Sequence, residues 1–222
     1  DIVKRENSRV AKLIGINKAA RTTCVKPAGT TSLVLGTSSG IHAWHNEFYI
    51  RRLRVGKNEP IYKYLLAHNP DLVKDEYFRP HDTAVIEIPQ SAPKGSITRT
   101  ESAFDLLKRV KQVATEWVKP GHRKGSNTHN VSATISLKKH EWDEAGKWMW
   151  DNRECYNGLA VLPYDGGSYT QAPFEDITER EFNKRVKLLN DVDLSHIIES
   201  TDETDLAGEL ACSGGSCEIS SL

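Results

Sequence analysis

Apolar residues recur at intervals of three and four along several stretches of the chain, which is the spacing of one face of an α-helix. The pattern predicts helices over residues 2–16, 60–67, 103–118 and 138–150. In the third of these the apolar face is Phe104, Leu107, Val110, Ala114 and Trp117. The fourth is expected to face inward with Trp142, Ala145 and either Trp148 or Met149. Capping residues mark two further helix starts, at residues 30–32 and at Thr178 with Glu181 three positions later.

Shorter apolar or alternating runs between these helices predict strands. They cover residues 23–26, 48–55, 84–88, 131–135 and 159–162. A proline directly follows three of the runs, at Pro27, Pro89 and Pro163, and is expected to end each strand. Strands that alternate with helices favour an α/β fold with largely parallel pairing.

The periodic pattern ends near residue 200, after which Ser, Thr, Gly and acidic residues dominate. We therefore expect residues 1–199 to form the folded body and residues 200–222 to form a flexible acidic tail. Residues 188–222 contain eight acidic residues and no Lys or Arg, so the body carries a surplus of basic residues. This asymmetry suggests that the terminal segment has a role of its own.

Composition excludes several classes of protein. The 30 Lys and Arg balance 30 Asp and Glu, whereas a protein that coats nucleic acid would be strongly basic. No apolar run is long enough to span a membrane. The chain begins Asp-Ile-Val-Lys, which is expected to be an internal start and not a secretory leader. Four cysteines are too few for a disulfide scaffold and predict a cytoplasmic protein.

The first candidate for chemistry is Lys-Pro-Ala-Gly-Thr-Thr-Ser at residues 26–32, between a predicted strand and a predicted helix start. Backbone N–H groups at a helix start attract anions, and glycine lets a phosphate approach the backbone. The hydroxyls of Thr30, Thr31 and Ser32 are potential donors to phosphate oxygens. Taken alone, the pattern also fits an ordinary capped turn, because the Gly-x-x-x-x-Gly-Lys run of the common P-loop is absent.

The second candidate is the pair Cys212 and Cys217, separated by Ser-Gly-Gly-Ser. Small residues between two cysteines let the chain bend until the sulfurs meet in a disulfide. On a flexible tail, such a pair is suited to accept electrons by thiol–disulfide exchange. A lone Cys-x₄-Cys lacks two of the four ligands of a zinc site.

The histidines and the other two cysteines give weaker signals. His42, His45, His122 and His129 match no zinc-binding spacing, so solvated or structural roles are favoured and no metal site is predicted. Cys24 and Cys155 are expected to behave as small buried hydrophobic residues.

A series of short segments runs in order along nearly the whole chain. They are residues 23–32, 40–42, 49–52, 130–134, 157–158, 162–167 and 212–217. This combination resembles the C-terminal part of the large catalytic chain of ribonucleotide reductases, and most closely the adenosylcobalamin-dependent class II type that reduces ribonucleoside triphosphates. The tail alone does not separate class II from class I, which also carries paired cysteines.

The resemblance implies both a fold and a set of roles. The fold implied is the C-terminal portion of a ten-stranded α/β barrel. The residues that would hold the substrate phosphates are Pro27, Ala28, Gly29, Thr30, Thr31 and Ser32. Cys212 and Cys217 would re-reduce the active site after each turnover and would be reduced in turn by a thioredoxin-like protein. Adenosylcobalamin would supply the radical that reduces the ribose 2′-hydroxyl.

The chain also departs from the reductase pattern. The radical cysteine of the family lies in an Asn-x-Cys-x-Glu loop, and no Cys-x-Glu occurs here. We therefore expect roughly the last third of an enzyme, truncated or separately encoded, that is inactive without the missing N-terminal part. At Ala28 many relatives have Ser or Thr, so one side-chain contact to phosphate is expected to be lost.

Two alternatives stay open on the residues alone. One is a non-catalytic module that binds a phosphate ligand and senses redox state through its tail. The other is a stand-alone disulfide oxidoreductase, which is disfavoured because such enzymes commonly use Cys-x-x-Cys at a helix start.

Overall fold

A computed structural model describes residues 1–29, 31–164 and 169–198. The helices are α1 (Ile2–Ile14), α2 (Thr31–Val34), α3 (Pro60–His68), α4 (Ala103–Val113), α5 (Lys119–Gly121), α6 (Trp142–Asp151) and α7 (Glu179–Val186). The strands are β1 (Phe48–Gly56), β2 (Val73–Asp75), β3 (Thr83–Ser91), β4 (Thr134–Leu137), β5 (Ala160–Pro163) and β6 (Phe174–Asp176). Single 3₁₀ turns lie at Pro70–Leu72, Arg153–Cys155 and Leu194–His196. The expectation of a mixed α/β fold is confirmed.

The chain divides into two compact units. Unit 1 contains residues 1–27 and 103–162, and unit 2 contains residues 28–102 together with the chain from residue 163 onward. Each unit is therefore built from two separate segments, and the chain alternates between the units along its length. None of the helices in the described ranges is long and apolar enough to cross a membrane.

Unit 1 is organised around a buried carboxylate. The core contains Leu107, Val110 and Ile135, each at most 1% exposed. Glu141 is only 4% exposed and accepts a hydrogen bond from the backbone N–H of Lys138 at 2.8 Å. Its other carboxylate oxygen accepts from the N–H of Ala103 at 3.3 Å. A single side chain therefore satisfies one backbone donor at the start of α4 and another shortly before α6.

The helix that begins at Ala103 changes its pitch near its end. After α4 the chain forms a π-helical segment, Ala114–Val118, in which the Lys119 N–H donates to the Ala114 carbonyl five residues back. Pro120 has no N–H to give to the carbonyl of Glu116, which is its ordinary partner four residues earlier. The wider pitch is consistent with that missing donor, and the predicted helix over 103–118 is confirmed with this change of form.

Unit 2 contains a four-stranded sheet in the order β2-β3-β1-β6. Every pairing in this sheet is antiparallel, so the prediction of largely parallel pairing is wrong for it. β1 and β3 pair along their full lengths, from Phe48 opposite Ser91 to Gly56 opposite Thr83. A cluster of Tyr64, Leu65, Leu72 and Ile86 packs α3 against this sheet. β4 and β5 form a separate two-stranded sheet.

Several predicted elements are shifted. The predicted strand at 23–26 is reduced to a single bridge at Val25, and the strand predicted from residue 131 begins at Thr134. The strand predicted to stop before Pro89 continues to Ser91. The helix predicted from residue 138 begins at Trp142, whose side chain is 43% exposed and does not face inward as expected. The buried position of that helix is Ala145.

The predicted cap at Thr178 is confirmed, because its hydroxyl accepts a hydrogen bond from the Glu181 N–H at 3.2 Å. Replacing Thr178 with Ala should lower the free energy of unfolding by about 1 kcal/mol, since one donor of the first turn of α7 loses its partner. Thr178→Ser keeps the oxygen and should stay close to wild type. Urea unfolding followed by circular dichroism measures both variants, and equal stabilities for Ala and Ser would show that the cap contributes nothing.

Candidate functional site

Reductase-like segments that are far apart in sequence meet in unit 1. Val25 forms a parallel bridge with Val131, and the Ser132 N–H donates to the Val25 carbonyl at 2.9 Å. The Ala160 N–H donates to the Ala133 carbonyl at 3.1 Å. The segment that leads into the candidate phosphate loop therefore lies beside residues 131–132, and residue 133 bonds in turn to the start of β5.

Two asparagines hold the approaches to these strands together. The side-chain amide of Asn157 donates to the Thr128 carbonyl at 2.9 Å. The Gly158 N–H donates to the side-chain oxygen of Asn130 at 3.2 Å. Asn130 and Asn157, both singled out by the resemblance, thus form a reciprocal link between the loops that precede β4 and β5.

The candidate phosphate loop spans residues 27–32. Pro27 and Ala28 are half-buried, and Gly29 and Thr31 are exposed. Ser32 is 5% exposed, and its hydroxyl donates to the Ala28 carbonyl. Thr30 lies outside the described residues. The groups open to a ligand in the described part of the loop are therefore the backbone around Gly29 and the side chain of Thr31.

The turn that follows the loop is closed by its own hydrogen bonds. The Thr37 N–H donates to the Ser32 carbonyl at 2.8 Å. Gly36 and Gly40 have φ angles of 62° and 60°, a left-handed conformation that favours glycine. His42 Nδ1 lies 3.0 Å from the Ser39 carbonyl oxygen. The predicted structural role of His42 agrees with this contact.

His45 lies at the centre of a buried aromatic and charged cluster in unit 2. Its ring stacks on Phe174 with centroids 4.8 Å apart, and Nε2 lies 2.8 Å from Asp176 Oδ1. Burial and the positive charge of Arg99 lower the pKa of His45 to about 4, and the nearby Asp176 carboxylate opposes this shift without reversing it. His45 is therefore neutral near pH 7.

Arg51 extends the same cluster beneath β6. It is 3% exposed, and its guanidinium carbon lies 4.5 Å from the centre of the Phe174 ring. Burial lowers the pKa of Arg51 and raises the pKa of Tyr49. The contact between His45 and Asp176 could not be predicted from the sequence, since the two residues are far apart in the chain. The run of arginines in β1 was a usable signal that charged groups would be buried there.

Unit 1 contains a cleft of about 610 Å³ that the sequence did not predict. α1, residues 18–23 and residues 116–129 supply its walls. Its charged lining residues are Lys4, Lys18, Arg21, Glu116, Arg123 and Lys124. We call this the basic cleft, because five cations share it with one carboxylate.

The cysteines fall into different settings. Cys24 is exposed, so the expectation that it is buried is wrong, and Cys155 is half-buried. Exposure of Cys24 follows from the reduction of its predicted strand to one bridge. Cys212 and Cys217 lie outside the described residues. Within the described ranges, no three His, Cys, Asp or Glu side chains come together as a metal site.

Comparison with known proteins places the chain beside ribonucleotide reductases. The adenosylcobalamin-dependent ribonucleoside-triphosphate reductase of Lactobacillus acidophilus is 28% identical over 210 residues, which cover 93% of this chain and 27% of that protein. The enzyme of the same name from Euglena gracilis is 27% identical over 91% of this chain and 27% of its own length. No family model matches the chain.

A solved structure agrees with these relatives. The crystal structure of a B12-dependent, class II ribonucleotide reductase superposes with a TM-score of 0.63 and 26% identity, covering 84% of this chain and 25% of that one. The resemblance to the catalytic chain of ribonucleotide reductases is thereby confirmed. The particular proteins that the chain matches are adenosylcobalamin-dependent. The chain spans between a quarter and a third of the length of these relatives.

The lowered pKa of His45 predicts a pH-dependent stability. Between about pH 4 and pH 6.5 the unfolded chain binds a proton at this position that the folded chain does not, so folding should weaken as the pH falls through that window. The effect is at most about 1.4 kcal/mol per pH unit. His45→Phe keeps a ring against Phe174 and removes the titrating group, so its unfolding free energy should depend less steeply on pH.

Urea unfolding at a series of pH values measures the difference between wild type and variant. His81→Phe is the matched control, because the His81 side chain is 76% exposed. It should keep the wild-type slope. An unchanged slope in His45→Phe would show that burial of this ring carries no protonation penalty.

Proposed function

We propose that the chain serves a cobalamin-dependent ribonucleotide reductase by holding the substrate phosphates and by returning electrons to the active site. The observation that supports this most directly is the pairing of the segment before the phosphate loop with the Asn-Val-Ser-Ala-Thr segment, at Val25 and Val131. Both segments belong to the reductase-like pattern, and the bridge between them, which lies within unit 1, supports a common role for them.

Phosphate binding is proposed for residues 27–32. The exposed backbone around Gly29 offers N–H groups with no side chain in the way of an approaching phosphate oxygen. Thr31 adds an exposed hydroxyl donor. Remote binding energy from the phosphates would place the ribose for reaction without taking part in the chemistry. The substrate class that fits the names of the relatives is a ribonucleoside triphosphate.

Electron return is proposed for Cys212 and Cys217. Reduction of the ribose 2′-carbon consumes two electrons and releases water, and it leaves the dithiol of the active site as a disulfide. The Cys212 and Cys217 thiols would reduce that disulfide by exchange, giving up two electrons and two protons and becoming a disulfide themselves. A thioredoxin-like dithiol would then restore them. Each exchange breaks one S–S bond and forms another.

Adenosylcobalamin supplies radical chemistry when it is bound. The basic cleft does not fit it, because a corrin is a broad and largely apolar macrocycle whereas this cleft measures about 610 Å³ and is lined by five cations. The proposed contributions of the chain are binding, orientation and electron delivery.

Substitution in the phosphate loop tests the first contribution. In the enzyme assembled with the segment that supplies the radical cysteine, Gly29→Val should weaken binding of a ribonucleoside triphosphate more than Thr30→Ala. A branched side chain blocks the approach to the backbone, whereas loss of one hydroxyl costs about 0.5–1.5 kcal/mol net. Equilibrium binding of labelled nucleotide measures both changes.

Gly146→Val is the control, because a side chain added there meets nothing within 4 Å. It should bind nucleotide as wild type does. Equal losses in Gly29→Val and Thr30→Ala would argue that the backbone does not contact the phosphates.

Replacement of either tail cysteine tests the second contribution. Cys212→Ser or Cys217→Ser should abolish repeated turnover with thioredoxin and leave the first turnover of the pre-reduced enzyme intact, because only the return of electrons is lost. Dithiothreitol is small enough to enter the site and should partly rescue both variants. Product formed per enzyme in single-turnover and steady-state assays measures this.

Cys24→Ser is the matched control, since Cys24 is an exposed cysteine outside the tail. It should cycle with thioredoxin at the wild-type rate. Wild-type steady-state turnover in both tail variants would mean that the pair has no shuttle role, and would leave the phosphate-binding proposal standing.

A further inference from the structure

The basic cleft of unit 1 has a strong excess of positive charge. Glu116 is the single carboxylate among its lining residues, against five Lys and Arg side chains. Within the described ranges, Lys4, Lys18 and Lys124 form no ion pair with a protein carboxylate. Like charges brought together around a concave surface repel one another, so their arrangement is stabilised by an anion that binds among them.

The walls of the cleft are held in place by hydrogen bonds to the backbone. The guanidinium of Arg21 donates to the Asn127 carbonyl, which joins the two sequence-distant walls. The Ala19 N–H donates to the side-chain oxygen of Asn7 at 3.0 Å, which fixes residues 18–23 against α1. The cations therefore project from a scaffold that is already formed, and a ligand would not need to order it.

The third wall is the π-helical segment. π-helical turns are frequent at functional sites, and this one brings Glu116 and Trp117 to the cleft. Trp117 is 69% exposed, although it continues the apolar face of a well-packed helix. Arg123 donates to the Pro120 carbonyl at 3.1 Å, which ties the next turn of chain to this wall. An exposed indole beside a group of cations offers a flat apolar surface for an aromatic ring.

His129 provides a further polar group in the cleft. Its Nε2 atom is buried and has no hydrogen-bond partner among the described residues, and its ring lines the cleft. A buried polar atom left unsatisfied costs free energy, which a ligand oxygen or a bridging water would recover.

From these observations we infer that the basic cleft binds a polyphosphate group. A compact group with several negative charges matches three lysines and two arginines better than a single carboxylate would, and phosphate oxygens accept from both side-chain types. The group has two sources, inorganic polyphosphate or the triphosphate of a nucleotide, and Trp117 would distinguish them by stacking on a base. None of the residues of the candidate phosphate loop lines this cleft, so the inference is independent of the proposed function.

Calorimetric titration of the full 222-residue chain tests the inference, with inorganic tripolyphosphate as the probe. The double variant Lys18→Ala/Lys124→Ala removes two exposed cations and should weaken binding by about tenfold or more, as expected for the loss of two charge-assisted contacts. Lys4→Ala should weaken it to a lesser extent. Circular dichroism confirms that each variant is folded, and these exposed side chains are not needed for the core.

Matched controls separate the cleft from general electrostatics and from the phosphate loop. Lys139→Ala removes an exposed lysine of unit 1 outside the cleft and should bind tripolyphosphate as wild type does. Gly29→Val removes any binding of the probe at the phosphate loop, and the binding that remains in this variant should still be weakened by the double substitution. Equal losses in the double variant and in Lys139→Ala, retention of binding in the double variant, or loss confined to Gly29→Val would each overturn the inference.

The nucleotide arm uses a ribonucleoside triphosphate in the Gly29→Val background, where the loop no longer contributes. Tighter binding of the nucleotide than of tripolyphosphate, together with loss of that difference in Trp117→Ala, would assign the cleft to nucleotides. Equal binding of the two probes would assign it to the polyphosphate group alone. No measurable binding of either probe by the wild-type chain would overturn the inference.

Discussion

Unit 2 depends on the way in which β1 accommodates its arginines. This strand lies inside the sheet, between β3 and β6, and carries Arg51, Arg52 and Arg54. Arg52 is held from both sides: Nε donates to Glu87 of β3 at 2.8 Å, and the guanidinium also donates to Glu175 of β6. A buried guanidinium without such partners would be strongly destabilising, so the strand is compatible only with neighbours that carry carboxylates at matching positions.

The same constraint organises the surroundings of the loop that precedes β1. Once β6 is placed by Glu175, the adjacent Phe174 covers Arg51 and Asp176 reaches His45. The segment before β1 is fixed from the other direction as well, because the N–H of Trp44 donates to the Ile97 carbonyl at 2.9 Å. Residues 42–45 are therefore held in place by contacts with several other segments of unit 2. These contacts fix the position of the chain immediately before β1.

The sequence predicted the helices better than the strand pairing, for a physical reason. A helix is decided by contacts three and four residues apart and by local caps such as Thr178, all of which are visible in the sequence. Strand pairing is decided by distant partners, and the alternation of helices with strands did not reveal that β3 returns antiparallel to β1. Pro89 is accommodated because β2 pairs only with residues 84–86, so β2 needs no N–H donor from β3 at Pro89. The charged cluster around His45 and the basic cleft could not be predicted from local sequence patterns, because each brings together residues that are many positions apart.

In the candidate phosphate loop, the residue types alone do not show which donors are available to a ligand. Its residues indicated three hydroxyl donors, but the hydroxyl of Ser32 is committed to the Ala28 carbonyl and therefore holds the loop in shape instead of donating to a ligand. Under the proposed function, recognition then falls to the backbone near Gly29 and to the threonines. A loop that binds phosphate mainly through its backbone N–H groups can keep this binding when its side chains change, because every residue except proline carries an N–H group. The resemblance leads one to expect a hydroxyl-bearing residue at position 28, and the alanine found there is then compatible with phosphate binding. Ala28 contributes its carbonyl oxygen, which accepts the hydrogen bond from Ser32, and a serine or threonine at this position would supply the same oxygen.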